Sequence, residues 1–410
     1  MTALQIIPFS PPRIDQKIID AVTETLKSGW ITTGPKTKVF EKMLTAYGGH
    51  QSTLCLNSAS AGLELILRWL GVGPGDEVIV PAYTYAATAN VVIHCGARPI
   101  FVDSGEDLNI DIRSVRKAIT TRTKVIMPVD IAGLPCDYDA LNALIREAEI
   151  LKIFSPSSEP QSQLGRILLL SDAAHSLGGW YKGNRVGSLA DVTVYSFHAV
   201  KNLTTAEGGA VCLNLPLPFN NEDVYMHLNA KSLHGQNKDA LAKFQVGNWR
   251  YDIIEAGYKC NMTDIQAAMG IVELERYDDD MLPARQQIFT HYTSLFEGKK
   301  WAQLPEYESS DRRSSYHVFA LRIHNITEMQ RDDIIQAIFG SGVSVNVHFV
   351  PLPMMSFYKE QGWDMAQFPV AYDNYSREIS LPVYYDLNAD LVERVARTVI
   401  NAVEEILDRK

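Results

Sequence analysis

The sequence predicts an α/β fold: a mostly parallel central sheet with flanking helices, followed by a smaller C-terminal α+β domain. Three observations carry this. Short runs that are apolar throughout and rich in β-branched residues recur up to about residue 213. Segments of helix length separate them, as they do in sheets buried on both faces. After about residue 260 the texture changes to longer amphipathic stretches, and no internal repeat is visible. The division that follows is a large domain over 1–262 and a small one over 263–410.

Taken in order, Ile14, Ile18, Val22 and Leu26 recur at helical spacing, and Leu63, Ile66, Leu67 and Leu70 do so before Gly71 stops the run. The strand candidates are Glu77–Val80, Pro99–Val102, Lys124–Val129, Ile167–Leu170, Asp191–Phe197 and Ala210–Leu213. Gly71-Val72-Gly73-Pro74-Gly75 lies after a helix and before a strand, the reverse of a dinucleotide-binding order, so it reads as a turn. Val78 to Cys95 is uncharged, yet Tyr83, Thr84, Asn90 and His94 make it too polar to span a membrane. Phe154 to Leu164 reads as a surface loop. Beyond it, Thr263 with Gln266 is a capping box opening a helix, and Val343 to Phe349 alternates like a strand. Leu391, Val395, Ala396, Val399, Val403 and Ile406 give the last helix an apolar face.

Composition bounds the partners. The 410 residues are 46% hydrophobic and 21% charged, enough for a large core without disulfides. A net charge of −10 argues against nucleic acid and anionic membranes, which select basic surfaces. Five cysteines, Cys55, Cys95, Cys136, Cys212 and Cys260, include no C-x-x-C pair, which fits structural thiols in a reducing compartment and no metal site. Met1 to Arg13 does not resemble a secretion signal, so the expected location is cytoplasmic.

The chemistry concentrates between Ile167 and Gly209. Asp172 directly follows an apolar strand, where open α/β sheets bind ligands. A second strand ending near Phe197 brings Ser196, His198 and Lys201 to the same edge. Spacing alone leaves open a buried ion pair between Asp172 and Lys201. Gly208-Gly209 permits a close backbone approach. Ser58-Ala59-Ser60 opens a helix whose free amides suit an anion, although serines there also serve as plain caps. With Tyr85 nearby, these groups describe a pocket for a phosphorylated aromatic aldehyde. No Walker A loop, nucleophile elbow or H-E-x-x-H motif competes.

At these residues the sequence resembles the DegT/DnrJ/EryC1/StrS family of sugar aminotransferases, pyridoxal-phosphate (PLP) enzymes of fold type I. The resemblance runs through Gly29 to Pro35, Gly73 to Val78, Pro81 to Asn90, Asp172-Ala173-Ala174-His175, Ser196-Phe197-His198 to Lys201, and Glu207-Gly208-Gly209. It continues through Gly257 to Asp264, His348-Phe349 and Ser380-Leu381-Pro382. It implies that Lys201 binds the cofactor covalently and moves protons, and that Asp172 pairs with the pyridine nitrogen. By the same resemblance Tyr85 stacks on the ring, His175 lies near its phenolic oxygen, and Ser60, Ala61 and Ser196 bind the phosphate. Core packing is the rival reading of Tyr85.

The resemblance further implies a homodimer with active sites at the subunit interface, Asn261 crossing to the neighbouring phosphate. Tyr258-Lys259-Cys260-Asn261 and Pro353 depart from the family's commoner residues. Tyr316, His317 and His348 are candidate substrate contacts. The implied reaction moves an amino group from L-glutamate to a nucleotide-linked keto-sugar. The stretch Val129-Asp130 to Cys136-Asp137-Tyr138 resembles branches acting at C4 of 4-keto-6-deoxy hexoses. The alternatives are a PLP-dependent sugar 3-dehydratase, whose branch replaces the lysine by histidine, and a PLP-binding regulatory protein without turnover.

Overall fold

The computed structural model describes residues 6–238 and 250–408. A seven-stranded sheet forms from β1 (Ser52–Leu56), β2 (Glu77–Pro81), β3 (Arg98–Val102), β4 (Thr123–Ile126), β5 (Leu168–Asp172), β6 (Val192–Ser196) and β7 (Gly209–Leu213), in the order β1-β7-β6-β5-β4-β2-β3. β7 pairs antiparallel with both β1 and β6, and the remaining pairings are parallel. The alternation of side chains accounts for the apolar runs. Leu168 and Leu170 of β5 enter one hydrophobic cluster and Leu169 another, while Val78 and Val80 of β2 divide from Ile79 in the same way. Each face of the sheet is therefore buried.

Helix α1 (Gln16–Ser28) starts at Asp15, whose side chain accepts from the Ile18 amide. Helix α2 (Pro35–Gly48) is capped from a distance: the buried Asp264 carboxylate accepts from the amides of Gly34, Lys36 and Thr37, so a negative charge meets the positive end of the helix. Helices α3 (Ala59–Trp69) and α4 (Ala86–His94) pack against each other, and α3 lies on β6 and β7. Helix α5 (Asp264–Glu275) begins with the expected capping box at Thr263 and Gln266.

Helices α6 (Leu282–Phe296), α7 (Glu328–Gly340) and α8 (Ala389–Asp408) accompany a second sheet, β8 (Ala302–Gln303), β9 (Phe319–Ile323) and β10 (Glu378–Leu381), in the order β8-β9-β10. The last helix buries Val395, Ala396, Val399, Val403 and Ile406, as its spacing requires.

Four local expectations need correction. β1 was not foreseen: Ser52-Thr53-Leu54-Cys55-Leu56 holds no apolar β-branched residue and so lacks the run that marks the other strands. Val343 to Phe349 is extended but forms only isolated bridges, Val343 with Ile7 and Asn346 with Ser380, and no strand. Half of Phe154 to Leu164 is a helix, Glu159–Leu164, capped by Ser158; Gln161 is buried and donates to the Leu70 carbonyl. Helix α1 begins after Ile14, which is 51% exposed; within it Ile18 is buried and Val22 half-buried while Leu26 is 53% exposed, so the expected apolar stripe only partly faces the core. The Gly71–Gly75 segment is a turn, with Gly71 and Gly75 at φ +76° and +94°.

Two contacts align the strands that carry Asp172 and the Lys201 loop. Arg166, before β5, makes a bidentate pair with Asp191, before β6, at 2.7 and 2.6 Å, and Asp191 also accepts from the Leu169 amide. Both side chains are buried. At Gly209 the backbone of Ser58 and Ala59 approaches so closely that an added Cβ would lie 2.4 Å from the Ala59 nitrogen.

Arg166→Met leaves a buried carboxylate without its partner and should lower the free energy of unfolding by about 3–5 kcal/mol in urea titrations. Gly209→Ala forces α3 away from β7 and should cost about 1–3 kcal/mol in the same assay.

Candidate active site

Asp172 is the last residue of β5, at the carboxyl edge of the parallel strands. β6 ends at Ser196, and the chain then folds back on itself, the Thr205 amide donating to the Phe197 carbonyl and the Phe197 amide to Gly208. That loop turns Lys201 toward Asp172. The close approach at Gly209 brings in the first turn of α3, whose amides have no partners within the helix beyond what Ser58 supplies. A cavity of 330 Å³ results, lined by Ser60, Tyr85, Asp172, His175, Ser196 and Lys201. His317, His348 and Phe349 close it from the side of the second sheet.

The electrostatics follow from burial. Desolvation lowers the Lys201 ammonium to about 8 while Asp172 opposes the shift, and the amine has no hydrogen-bond partner among the described residues. Burial raises the Asp172 carboxyl, against hydrogen bonds from the Thr88 hydroxyl at 2.8 Å and the Ala174 amide at 3.3 Å and against the charge of Lys201. These two bonds fix the carboxylate's orientation. His175 is held well below its ordinary value by burial, by Lys201 and by His348, so the ring is neutral. Its Nδ1 is buried without a partner. The His317 ring lies 4.4 Å from that of His175 and is oriented by Asn202 at 2.7 Å.

Six of the eight residues singled out from the sequence line this cavity; Ala61 and Asn261 do not. The Ala61 amide donates to Ser58 Oγ at 3.1 Å, and its side chain faces a separate crevice beside Tyr258 and Cys260. The Asn261 amide group donates to the Thr33 hydroxyl and accepts from Lys259. Tyr85 is 64% exposed, which excludes core packing; its ring stands 5.8 Å from Phe349 at the cavity mouth.

Tyr316 is buried against Phe289 and Tyr307, away from the cavity, whereas His317 and His348 line it. In the stretch from Val129 to Tyr138 only Val129 reaches the cavity. Asp130 turns inward and accepts from Tyr138, Ser176 and the Cys136 amide. Pro353 is buried in a short turn.

Sequence reasoning passed over Thr88 as a functional residue. Thr88 also shares a hydroxyl contact with Thr84 at 3.0 Å, but its bond to Asp172 spans 84 residues of chain, which spacing does not announce. All five cysteines are buried and unpaired. Among the described residues no three His, Cys, Asp or Glu side chains gather to hold a metal ion, and no helix is long and apolar enough to cross a membrane.

Comparison with known proteins supplies the relatives. The sequence profile of the DegT/DnrJ/EryC1/StrS aminotransferase family matches residues 12–158 and 161–400. The spore coat polysaccharide biosynthesis protein SpsC of Bacillus subtilis is 36% identical over 406 residues, covering 98% of this chain and 97% of that one. A UDP-4-amino-4-deoxy-L-arabinose–oxoglutarate aminotransferase of Shewanella sediminis is 33% identical, covering 99% of each. Among solved structures, Spr1654 of Streptococcus pneumoniae, assigned as a sugar aminotransferase, superposes in its PMP form with a TM-score of 0.94 at 45% identity, over 98% of this chain and 100% of that one. The PLP form of that protein gives 0.93. With the profile spanning nearly its whole length, this chain belongs to the DegT/DnrJ/EryC1/StrS aminotransferase family.

Proposed function

We propose that this aminotransferase moves the amino group of L-glutamate to a nucleotide-linked keto-sugar, at C4 of a 4-keto-6-deoxy hexose, for a surface polysaccharide, glycan or antibiotic sugar. The observation that carries the proposal is the half-buried amine of Lys201, without a hydrogen-bond partner among the described residues, sharing one cavity with the oriented carboxylate of Asp172. The names of two relatives support the substrates. One acts with UDP-4-amino-4-deoxy-L-arabinose and oxoglutarate, which favours a nucleotide carrier, the 4-position and glutamate as donor. The other serves spore coat polysaccharide, which favours a surface glycan.

The cofactor is pyridoxal 5′-phosphate, and the cavity suits it. Among the described residues the Nδ1 of His175 is buried without a partner and the Lys201 amine has only the charge of Asp172 nearby, and the first turn of α3 with Ser60 offers amides to a phosphate. When bound, the cofactor supplies the electron sink for the pair left by the departing α-proton.

Each residue then has a task. Lys201 is the covalent anchor, and its lowered affinity for protons leaves a useful fraction of neutral amine near pH 7. With the cofactor bound, the same amine would be the group placed to take up and return the proton of the substrate's α-carbon. Asp172 holds a proton on the ring nitrogen. Burial makes its lone carboxylate costly, so an opposed N–H cation is stabilised there. Thr88 keeps that carboxylate in line. Tyr85 would cover the ring, neutral His175 would offer a hydrogen bond to the phenolic oxygen, and Ser60 and Ser196 would hold the phosphate. Asn261, outside its own cavity, is the proposed phosphate contact to the neighbouring subunit of a cytoplasmic homodimer. A lysine at 201, where the dehydratase branch carries histidine, favours transfer over dehydration.

Addition of L-glutamate to the purified protein should abolish the visible absorption of its lysine-bound cofactor, and a nucleotide-linked 4-keto-6-deoxy hexose should restore it and emerge as the amine by mass spectrometry. An unchanged spectrum refutes the donor, and an unmodified sugar refutes the acceptor. Asp172→Asn should retain cofactor while kcat falls by about 10²–10³-fold, the scale of losing one preorganised electrostatic partner. Near-normal turnover would reject the role given to Asp172.

A further inference from the structure

Behind the cavity wall at His348 three groups stand in line. Glu378 opens β10 and is fully buried; Ser380, two residues on, shares its face of the strand. Ser380 Oγ lies 2.6 Å from Glu378 Oε1 and 2.9 Å from His348 Nδ1. The His348 amide donates to Glu378 Oε2 at 3.1 Å, and the Tyr83 hydroxyl donates to the His348 carbonyl. With Nδ1 engaged by Ser380, Nε2 is the nitrogen left for the cavity that His348 lines together with Lys201. The proposed reaction assigns no task to Glu378, Ser380 or His348.

A serine hydroxyl has a single proton, so this chain has two polarities. With Glu378 ionised, Ser380 donates to the carboxylate and accepts from His348 Nδ1–H, leaving a lone pair on Nε2. With Glu378 protonated, the carboxyl donates to Ser380, Ser380 donates to Nδ1, and Nε2 carries the proton. We propose that Glu378, acting through Ser380, sets whether His348 Nε2 accepts or donates a hydrogen bond inside the cavity. Glu378 and Ser380 are thereby positioning residues. The switch releases one proton in all, and it leaves from Nε2 into the cavity: the carboxyl proton passes to Ser380 Oγ as the hydroxyl proton of Ser380 passes to Nδ1, so the imidazole stays neutral throughout.

The surroundings support a switch in an accessible range. Burial pushes the Glu378 carboxyl up to about 8, opposed by Ser380, the His348 amide, Arg331 of α7 and Arg322, its cross-strand neighbour on β9. Tyr83 also faces it and is held protonated by burial. His348 is pushed down to about 4 by burial and by Lys201, so its ring does not charge near neutrality. Its titratable neighbours His175 and His317 are held neutral as well. A sugar hydroxyl or carbonyl meeting Nε2 therefore finds an acceptor above the Glu378 transition and a donor below it.

This inference rests on the proposed function only for its kinetic consequence. Full-length protein labelled with ¹⁵N at histidine reports the tautomer of His348 directly, its signal assigned by loss in His348→Asn. At about pH 6 and about pH 10, either side of the transition, wild type should change from Nε2–H to Nδ1–H. Glu378→Gln, whose amide nitrogen donates to Ser380 while its oxygen accepts from the His348 amide, should hold Nε2–H at both, which separates Glu378 from the titration of Lys201. Ser380→Ala should abolish the pH-linked exchange. In turnover, KM for the sugar should change about tenfold across the transition in wild type and not in Glu378→Gln, with kcat retained. One tautomer at both pH values in wild type, or a Glu378→Gln variant that follows wild type, overturns the inference whatever the activity. A protein that switches tautomer yet transfers no amine instead refutes the proposed function.

Discussion

Parallel strands cannot be closed by a hairpin, so each leaves its carboxyl end open, and the crossover that follows must travel back beneath the sheet. In this molecule β5 and β6 are parallel neighbours with Asp172 opposite Val194. Their register sets where the acid and the lysine loop emerge. The buried Arg166–Asp191 pair locks the far ends of the same two strands. β7 returns antiparallel beside β6 and draws the start of α3 onto Gly209. One pairing thus brings acid, amine and anion-binding helix end to a common edge.

The same edge lies in a recessed cavity, and the burial of its charged groups determines its chemistry. Burial makes an ammonium costly at 201 and a carboxylate costly at 172. Their mutual attraction offsets part of each cost, and the hydrogen bonds from Thr88 and Ala174 hold the acid in one orientation. The three histidines around them stay neutral for the same reason. A site of this kind holds partly unsatisfied groups until a ligand arrives, which is the ordinary condition of preorganised catalytic pockets.

Much of this was legible from residue order. Apolar runs marked six of the seven strands of the large sheet because burial on both faces leaves few polar positions, and Asp172 stood out as the charge that ends such a run. Strand β1 escaped because Ser52-Thr53-Leu54-Cys55-Leu56 opens on two hydroxyl residues and holds no valine or isoleucine, so it lacks the β-branched apolar run that marked the others. Val343 to Phe349 misled because alternation records which side chains are buried, and an extended segment beside β10 alternates without a ladder. Polar residues were hardest to place. Asp130 sits in a stretch suggestive of substrate recognition, yet it braces a turn. Thr88 reaches Asp172 and Glu378 accepts from the His348 amide through contacts 84 and 30 residues away in the chain, which spacing cannot reveal.

The central claim is that the amine of residue 201 is the one that joins the cofactor, and it is tested most directly by reducing the holoenzyme with borohydride and mapping the modified peptide by mass spectrometry. The account predicts a single pyridoxyl adduct, on Lys201, that disappears in Lys201→Ala. An adduct on another lysine, or one that survives in that variant, would contradict it.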